Sequence, residues 1–200
     1  MTTRGENSLK YLTIAPDDRI WGVVTTTVGS QKIAPNACYP AMPHPSTHEF
    51  KPQNGRILDE YQLVYITEGA GFFESKSVPR QRIEAGTVIL LFPGEWHNYA
   101  PEESCGWQEY WVGFQGENIN RLVDAEFFAR ENALIKIGIS NTIISLYRDA
   151  IRIAEQASNT LPQQERLLTL RCSISSRRLR ALPLWRASDR PKQLSPLQTS

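Results

Sequence analysis

Three side chains at alternate positions, Trp107, Glu109 and Trp111, have the types and spacing to form one wall of a binding site. Alternate side chains of a strand share a face, so the two indoles would flank the carboxylate. An indole stacks on the apolar face of a sugar or another ring, while a carboxylate accepts hydrogen bonds from hydroxyl groups. Arg56 can serve as a cationic partner for Glu109 or for an anionic ligand. The tryptophans alone would suit an ordinary core, but an unpaired buried carboxylate is costly there, which favours a pocket.

Residues 86–99 form the most specific segment of the chain. Gly86 marks a turn before an apolar strand, and Pro93 with Gly94 marks a sharp turn after it. A second strand with polar and aromatic residues follows and carries His97. The segment therefore predicts two short strands joined by a tight turn, with an imidazole near the start of the second strand.

The elements that must position these residues are predicted to be strands between positions 11 and 115. Short β-branched or aromatic runs alternate there with turn residues, which is typical of a sandwich or barrel. Residues 68–71 suggest a hairpin turn, because glycine tolerates positive φ. Residues 35–52 contain five prolines and predict a loop or arm. The predicted strands cover residues 21–28, 61–67, 71–74, 87–92 and 106–114.

The apolar period changes to a helical one after residue 116. A first helix is predicted from apolar residues at positions 119–128, and a break follows near Gly138. Ser140 or Asn141 can cap a second helix, and Pro162 can open a third. The second helix carries an apolar stripe that can pack on the barrel, pair with a second copy of the chain, or do both. The stripe consists of Ile143, Ile144, Tyr147, Ile151 and Ala154.

Together, residues 61–69, 86–99 and 106–114 resemble the sensor domain of AraC-type transcriptional regulators, and the resemblance covers about residues 10–168. It implies a mainly β fold, a cupin-like double-stranded β-helix or jelly-roll barrel, followed by two or three α-helices. In the family's sugar-binding member, the positions that match Tyr99, Glu109 and Trp111 contact the ligand, which places that face inside the barrel. The resemblance also implies a homodimer formed through the helices after the barrel.

The interpretation yields two sets of candidate residues. The first would bind a small-molecule effector, a carbohydrate or a related polar molecule. The second would contribute to the dimer. The ligand-binding candidates are Arg56, Tyr65, Trp96, His97, Tyr99, Trp107, Glu109 and Trp111, and the dimerisation candidates are Leu122, Ile144, Tyr147 and Ile151.

His97 matches a metal ligand of enzymatic cupins, which hold the ion with further histidines and a glutamate. A metal site needs at least three convergent ligands, and residues 58–74 contain no histidine. His44 and His48 lie in the proline-rich stretch, too early for the pattern. The sequence therefore predicts no metal or cofactor site, and His97 is expected to be a hydrogen-bonded residue at the barrel mouth.

Charged residues are distributed unevenly along the chain. Residues 1–170 carry 15 basic and 20 acidic side chains, whereas residues 171–200 carry seven basic side chains and one acid. An acidic body is repelled by nucleic-acid phosphate. The predicted organisation is a barrel with an N-terminal arm over 1–116, a helical dimerisation segment over 117–169 and an atypical basic tail over 170–200. The tail is either a disordered extension or a departure from the parental reading frame near Leu170, and the second is favoured because the family pattern stops there.

The favoured function is effector sensing and dimerisation for a regulator whose helix-turn-helix domain lies outside this chain. DNA would be contacted only through that missing domain. The alternatives are a cupin-fold enzyme, such as a sugar isomerase or a dioxygenase, and a nucleic-acid binder that uses the basic tail. Enzymatic activity is not expected. Three scattered cysteines and the lack of a signal peptide or an apolar span indicate a cytoplasmic protein without membrane contact.

Overall fold

The structure of the chain is a computed structural model, which describes residues 7–41 and 54–157. Two short 3₁₀ helices, Pro16–Trp21 and Arg130–Asn132, accompany the regular elements of this part. The strands are β1 (Ser8–Tyr11), β2 (Val24–Ile33), β3 (Arg56–Ile57), β4 (Tyr61–Ser75), β5 (Gln81–Glu84), β6 (Thr87–Leu91), β7 (Trp96–Pro101), β8 (Trp107–Gln115) and β9 (Leu134–Lys136), and the α-helices are α1 (Glu117–Asp124) and α2 (Asn141–Ala157).

The strands form an antiparallel barrel in which hydrogen-bonded neighbours follow the order β1-β2-β8-β4-β6-β9. A second group joins β3 to β7 and places β7 and β5 on the far half of β4. The two groups enclose a continuous core of apolar side chains. The predicted mainly β fold, a cupin-like double-stranded β-helix followed by helices, is confirmed.

Strand β4 links the two groups because it bends in the middle. Its first half pairs with β8 and β6, and its second half pairs with β5 and β7. The pairing register with β8 shifts between Ile66 and Glu68, and Gly69 has φ of 75°. A Cβ at Gly69 would lie 2.0 Å from the carbonyl oxygen of Gly106. The predicted hairpin turn at residues 68–71 is therefore wrong: the glycine allows a bulge and a bend within one long strand.

Strand β8 is buried on both faces and separates the barrel interior from the helices. Its odd positions face the barrel interior, and two of them, Glu109 and Trp111, line a cleft there. Tyr110 faces outward, where its ring lies 5.8 Å from that of Tyr147 on α2. The Tyr147 hydroxyl donates to the carbonyl oxygen of Leu63 at 3.1 Å. The alternation predicted for β8 thus holds.

The helical region differs in part from the sequence pattern. Helix α1 ends at Asp124, so the two phenylalanines of the predicted helix follow it, and β9 pairs with β6 where no strand was predicted. The capping prediction for α2 is confirmed, since the Ile143 amide donates to Ser140 Oγ at 3.4 Å. Neither of these helices is long and apolar enough to cross a bilayer. The helix predicted to open at Pro162 and the tail 170–200 lie outside the described residues.

Candidate functional site

An interior cleft lies between strands β1, β2, β3, β4, β7 and β8 and the residues that follow β2. It comprises about 380 Å³ of space between side chains, its open mouth included. Polar and aromatic groups dominate its walls, which is typical of a site for a small polar ligand. The lining residues are Leu9, Tyr11, Thr27, Gln31, Tyr39, Pro40, Arg56, Gln62, Tyr99, Glu109 and Trp111.

Glu109 is the buried carboxyl group of the cleft, with only 1 % of its surface exposed. Its Oε1 accepts hydrogen bonds from Gln31 Nε2 and, at 3.1 Å, from the Tyr39 hydroxyl. Burial raises the pKa of Glu109 to about 7, although these hydrogen bonds and the charge of Arg56 act in the opposite direction. Glu109 can therefore accept from hydroxyl groups when ionised and donate when protonated.

Arg56 enters the cleft from β3 and is hydrogen-bonded to Tyr99 and His97. Its Nη2 donates to the Tyr99 hydroxyl at 2.9 Å, and its Nε donates to His97 Nε2 at 3.3 Å. The other imidazole nitrogen, Nδ1, lies 3.0 Å from the carbonyl oxygen of Glu95 and donates to it. Burial, aided by the charge of Arg56, lowers the pKa of His97 to about 3, so the ring is neutral. His97 therefore lies behind the cleft wall and positions the guanidinium that lines it.

The two inward tryptophans of β8 lie over glycines. A Cβ at Gly29 would approach Trp111 Cζ2 to 2.2 Å, and a Cβ at Gly71 would approach Trp107 Cζ3 to 2.6 Å. Only a residue without a side chain leaves room for each indole. Trp111 lines the cleft, whereas Trp107 lies behind Tyr99, with ring centroids 6.1 Å apart. The Trp107 Nε1 atom has no hydrogen-bond partner within the described part of the chain.

Several functional candidates carry no sequence signal that marks them. Tyr39 belongs to the proline-rich segment, which has no period, yet its side chain reaches the cleft. Gln62 and Thr27 line the cleft and both donate to the buried Glu60 Oε1, at 2.6 Å and 3.1 Å. The position of Glu60 just before β4 marks a strand end in the sequence, but nothing there indicates that it supports a site.

The predicted ligand-binding residues fall into three groups. Four of them line the cleft, and His97 and Trp107 support it from behind. Tyr65 lies on the outer face of the barrel wall, because Gln62 on the same strand faces inward and Tyr65 is three positions away; its hydroxyl donates to the carbonyl oxygen of Gly138 at 2.7 Å. Trp96 alternates with His97 and turns outward, where its Nε1 donates to the carbonyl oxygen of Asn54 at 3.0 Å. The four lining residues are Arg56, Tyr99, Glu109 and Trp111.

The predicted dimerisation residues differ in how much of their surface is exposed. Tyr147 and Ile151 are buried, and both belong to the barrel core cluster. Ile144 and Leu122 are half-buried and pack at the margin of that cluster. The apolar stripe of α2 therefore packs mainly on its own barrel, and of the four residues only Ile144 and Leu122 keep exposed surface for a partner.

Metal ligands do not converge in the part of the chain that the structure describes. Within residues 7–41 and 54–157, no three His, Cys, Asp or Glu side chains form a group that could hold an ion. The Nε2 atom of His97, the nitrogen left after Nδ1 donates to the backbone, already accepts a hydrogen bond from Arg56. The guanidinium thus occupies the side of the imidazole that a metal would need.

The fold and the cleft define a class of protein, a β-barrel domain with an interior cleft between polar and aromatic side chains. Residues 40–170 match the family model of the AraC-like ligand binding domain, so the chain belongs to that family. The family predicted from the sequence is confirmed. The matched range includes the four predicted lining residues but begins just after Tyr39.

Curated relatives include transcriptional regulators. The MmsAB operon regulatory protein of Pseudomonas aeruginosa is 23 % identical over 122 residues, which cover 58 % of this chain and 39 % of the relative. The raffinose operon transcriptional regulatory protein RafR of Pediococcus pentosaceus is 28 % identical over 80 residues, which cover 40 % and 29 %. The chain thus spans less than half the length of these curated relatives. Its family match, to a ligand binding domain, supports an effector-sensing regulatory domain.

Remote likenesses exist among solved structures. The protein YhaK from Escherichia coli is 11 % identical, with a TM-score of 0.38 over 55 % of this chain and 44 % of that chain. A cupin 2 conserved barrel domain protein from Salinispora arenicola is 18 % identical, with a TM-score of 0.33 over 59 % and 83 %. The cupin-like description of this chain therefore rests on its own strand topology and family match.

Proposed function

We propose that this chain binds a small, hydroxyl-bearing effector in the interior cleft and that binding controls a DNA-binding domain outside the chain. The observation that carries the proposal is the buried carboxyl group of Glu109, which lines the same cleft as Trp111 and Arg56. A barrel that served only as a scaffold would gain nothing from a buried carboxyl group there, because its desolvation is costly. A ligand with several hydroxyl groups can satisfy both the carboxylate and the guanidinium.

The chemistry of the walls supports a carbohydrate or a related polar molecule. Trp111 presents an aromatic surface, and Gln31, Gln62 and Tyr99 add side-chain donors and acceptors around Glu109. Hydrogen bonds to charged groups are stronger than those between neutral groups, so Glu109 and Arg56 would fix the orientation of the ligand. The aromatic wall would supply most of the favourable free energy from burial of apolar surface.

The proposed protein is a cytoplasmic regulator without enzymatic activity that acts as a homodimer. Ile144 on α2 and Leu122 on α1 are the proposed contributors to the dimer, since each keeps exposed surface. DNA would be bound only by the separate domain. Against the alternative of a cupin-fold enzyme stands the hydrogen bond from Arg56 to His97 Nε2, which engages the nitrogen that a metal would use.

The test is a thermal-shift screen of sugars, sugar acids and polyols. A compound present at a hundred times its Kd stabilises the folded state by about 2.7 kcal/mol, which raises Tm by roughly 5–10 °C for a chain of this size. Trp111→Ala should weaken binding of any such compound about a hundredfold, since it removes the aromatic wall. Trp96→Ala, outside the cleft, is the matched control and should leave the affinity unchanged.

Arg56→Gln provides a second variant in case the loss of Trp111 destabilises the barrel. It keeps a polar side chain but removes the positive charge, and it should weaken binding at least tenfold. A compound that binds wild type, Trp111→Ala and Arg56→Gln equally would place the effector site elsewhere. A folded chain with one equivalent of bound iron, manganese or zinc after purification without added metal would favour the enzyme.

A further inference from the structure

The phenol of Tyr39 lies inside the candidate site. Tyr39 belongs to the segment between β2 and β3, and its side chain lines the cleft with Arg56 and Trp111. Its hydroxyl donates to Glu109 Oε1 at 3.1 Å and lies 3.5 Å from Oε2. The ring therefore reaches the one buried carboxyl group that lines the cleft in the described part of the chain.

Aromatic contacts surround the same ring. It meets Trp107 edge-on, with centroids 5.6 Å apart, and lies 6.4 Å from the ring of Tyr99 in a tilted arrangement. Such geometries are favourable for aromatic pairs. A phenol with its hydroxyl on a carboxylate and its ring among aromatic walls makes the contacts expected of a bound ligand.

The backbone next to Tyr39 is attached through the polar wall as well. The backbone amide of Ala41 donates to Gln31 Oε1 at 3.1 Å, and Gln31 Nε2 donates to Glu109. Gln31 thus joins the segment and the carboxyl group in one network. A molecule that took these hydrogen bonds would release residues 39–41 from Glu109 and Gln31 at the same time.

We propose that Tyr39 is an internal competitor for the effector, and that the site takes a ligand whose ring carries a hydroxyl group in place of the Tyr39 phenol. The inference rests on the proposed function, because it concerns the same cleft. Effector entry would displace Tyr39 and the neighbouring residues 40–41 from Glu109 and Gln31. The position of residues 39–41 would then report whether the cleft is occupied.

The change in ligand affinity when the Tyr39 side chain is removed distinguishes competition from closure of a lid over the ligand. When the open cleft is only fractionally populated, the apparent affinity falls by that fraction. Removal of the Tyr39 side chain opens the site permanently and should tighten binding. If Tyr39 instead closed over a bound ligand, its removal would weaken binding, because ligand contacts would be lost.

The probe is p-cresol, the analogue of the tyrosine side chain, with toluene as the analogue that lacks the hydroxyl. Binding to the full chain would be measured by calorimetry and by the fluorescence of the cleft tryptophans. Tyr39→Ala should bind p-cresol at least tenfold more tightly than wild type and should prefer it to toluene. Cys38→Ala, an exposed neighbour in the same segment, is the matched control and should behave as wild type.

Tyr39→Phe is the second variant and keeps the ring in place. It loses only the hydrogen bond to Glu109, so its affinity for p-cresol should lie between those of wild type and Tyr39→Ala. Circular dichroism would check that each variant is folded. In the Tyr39→Ala background, Glu109→Gln should reduce the preference for p-cresol over toluene, since an ionised acceptor holds the hydroxyl more strongly than an amide.

Equal binding of p-cresol to wild type and Tyr39→Ala, weaker binding to Tyr39→Ala, or no binding to either would overturn the competitor role. The proposed function has its own readout in those cases. A compound from the effector screen that still needs Trp111, with the same affinity in wild type and Tyr39→Ala, would keep the effector site and discard only the role of Tyr39.

Discussion

At the scale of single residues, Glu109 and His97 show how one environment shifts two groups in opposite directions. Burial disfavours the charged form of each, which raises the pKa of Glu109 to about 7 and lowers that of His97 to about 3. As pH falls from 6.5 to 5, folding gains stability from Glu109 and loses it from His97. Each effect amounts to about 2 kcal/mol, so the two largely offset each other in the wild-type chain.

Glu109→Gln should expose the contribution of the carboxyl group. The folded-state pKa is raised, so the folded state binds a proton more tightly than the unfolded state, and stability falls as pH rises from about 4.5 to 7. The variant lacks this loss. The stability of the variant minus that of wild type should therefore be larger at pH 8 than at pH 5. The increase should reach up to about 3 kcal/mol in the free energy of unfolding and would be seen as a larger Tm difference. A Tm difference that is independent of pH would mean that Glu109 is not shifted.

His97→Gln should expose the opposite contribution. A depressed folded-state pKa means that the unfolded chain takes up a proton below pH 6.5 while the folded chain does not, so wild-type stability is lost as pH falls. The glutamine keeps an acceptor for Arg56 and cannot titrate. Between pH 6.5 and 5, the variant should gain about 2 kcal/mol relative to wild type, measured by urea unfolding at each pH. Parallel pH profiles would contradict a neutral, buried His97.

The residues of the site could be predicted only where a pattern marks them. The alternation of Trp107, Glu109 and Trp111 on β8 follows from strand geometry, and the family resemblance chose the inward face. No pattern in the sequence assigns the side chains of Trp96 and Tyr65 to a face of the barrel, and both turn outward. Tyr39 reaches the cleft through the path of an irregular segment, which no periodicity reports.

At the scale of elements, β4 shows why local signals misplace a turn. Glycines at 69 and 71 suggest a hairpin, but the first half of β4 pairs with β8, which lies far along the sequence, and the second half pairs with the next strand, β5, and with β7. Long-range pairing keeps the strand continuous and uses the glycine for a bend. For the same reason, β9 was missed: its three residues become a strand only because β6 offers an edge.

Gly29→Ala tests the fit between β2 and the indole of Trp111. The new Cβ would lie 2.2 Å from Trp111 Cζ2 and 2.4 Å from the backbone oxygen of Ser8, so both the indole and β1 must move. Overpacking of this kind costs about 1–3 kcal/mol and should shift the tryptophan emission. Lys32→Ala, at an exposed position of the same strand, is the control and should change Tm little. An unchanged Tm for Gly29→Ala would refute the close approach.

Helix α2 offers a clean test of the proposed dimer through Ile144→Lys. Ile144 is half-buried, so the charge should cost the fold little while weakening an interface that uses this flank of the helix. Ile151 is a poorer choice because it is buried against the barrel, and a lysine there should lower stability by several kcal/mol. Sedimentation should show dissociation for Ile144→Lys but not for Ser145→Lys on the exposed face. A dimer that survives Ile144→Lys would have its interface elsewhere.

At the scale of the whole molecule, charge separates the sensing body from the tail. The first 170 residues carry a net charge of −5, and the last 30 carry +6. In the part of the chain that the structure describes, the barrel and α2 lie within residues 7–157. The body therefore holds the cleft and its supports, while it presents a charge that repels nucleic acid.

A chain that ends at residue 169 should keep the Tm and the effector affinity of the full chain, because the described elements that line the cleft end with β8 at Gln115 and the described helix that packs on the barrel ends at Ala157. It should show no affinity for duplex DNA at low salt. Any DNA binding by the full chain should be independent of DNA sequence, since only basic side chains of the tail can carry it. Its affinity should fall steeply with salt, with a logarithmic slope no steeper than about −6 for seven basic side chains. Fluorescence anisotropy with labelled duplexes at several salt concentrations measures the DNA affinity of both chains, its dependence on DNA sequence and its dependence on salt. Specific operator binding by the shortened chain would place a DNA interface on the barrel or its helices and would contradict a body devoted to sensing.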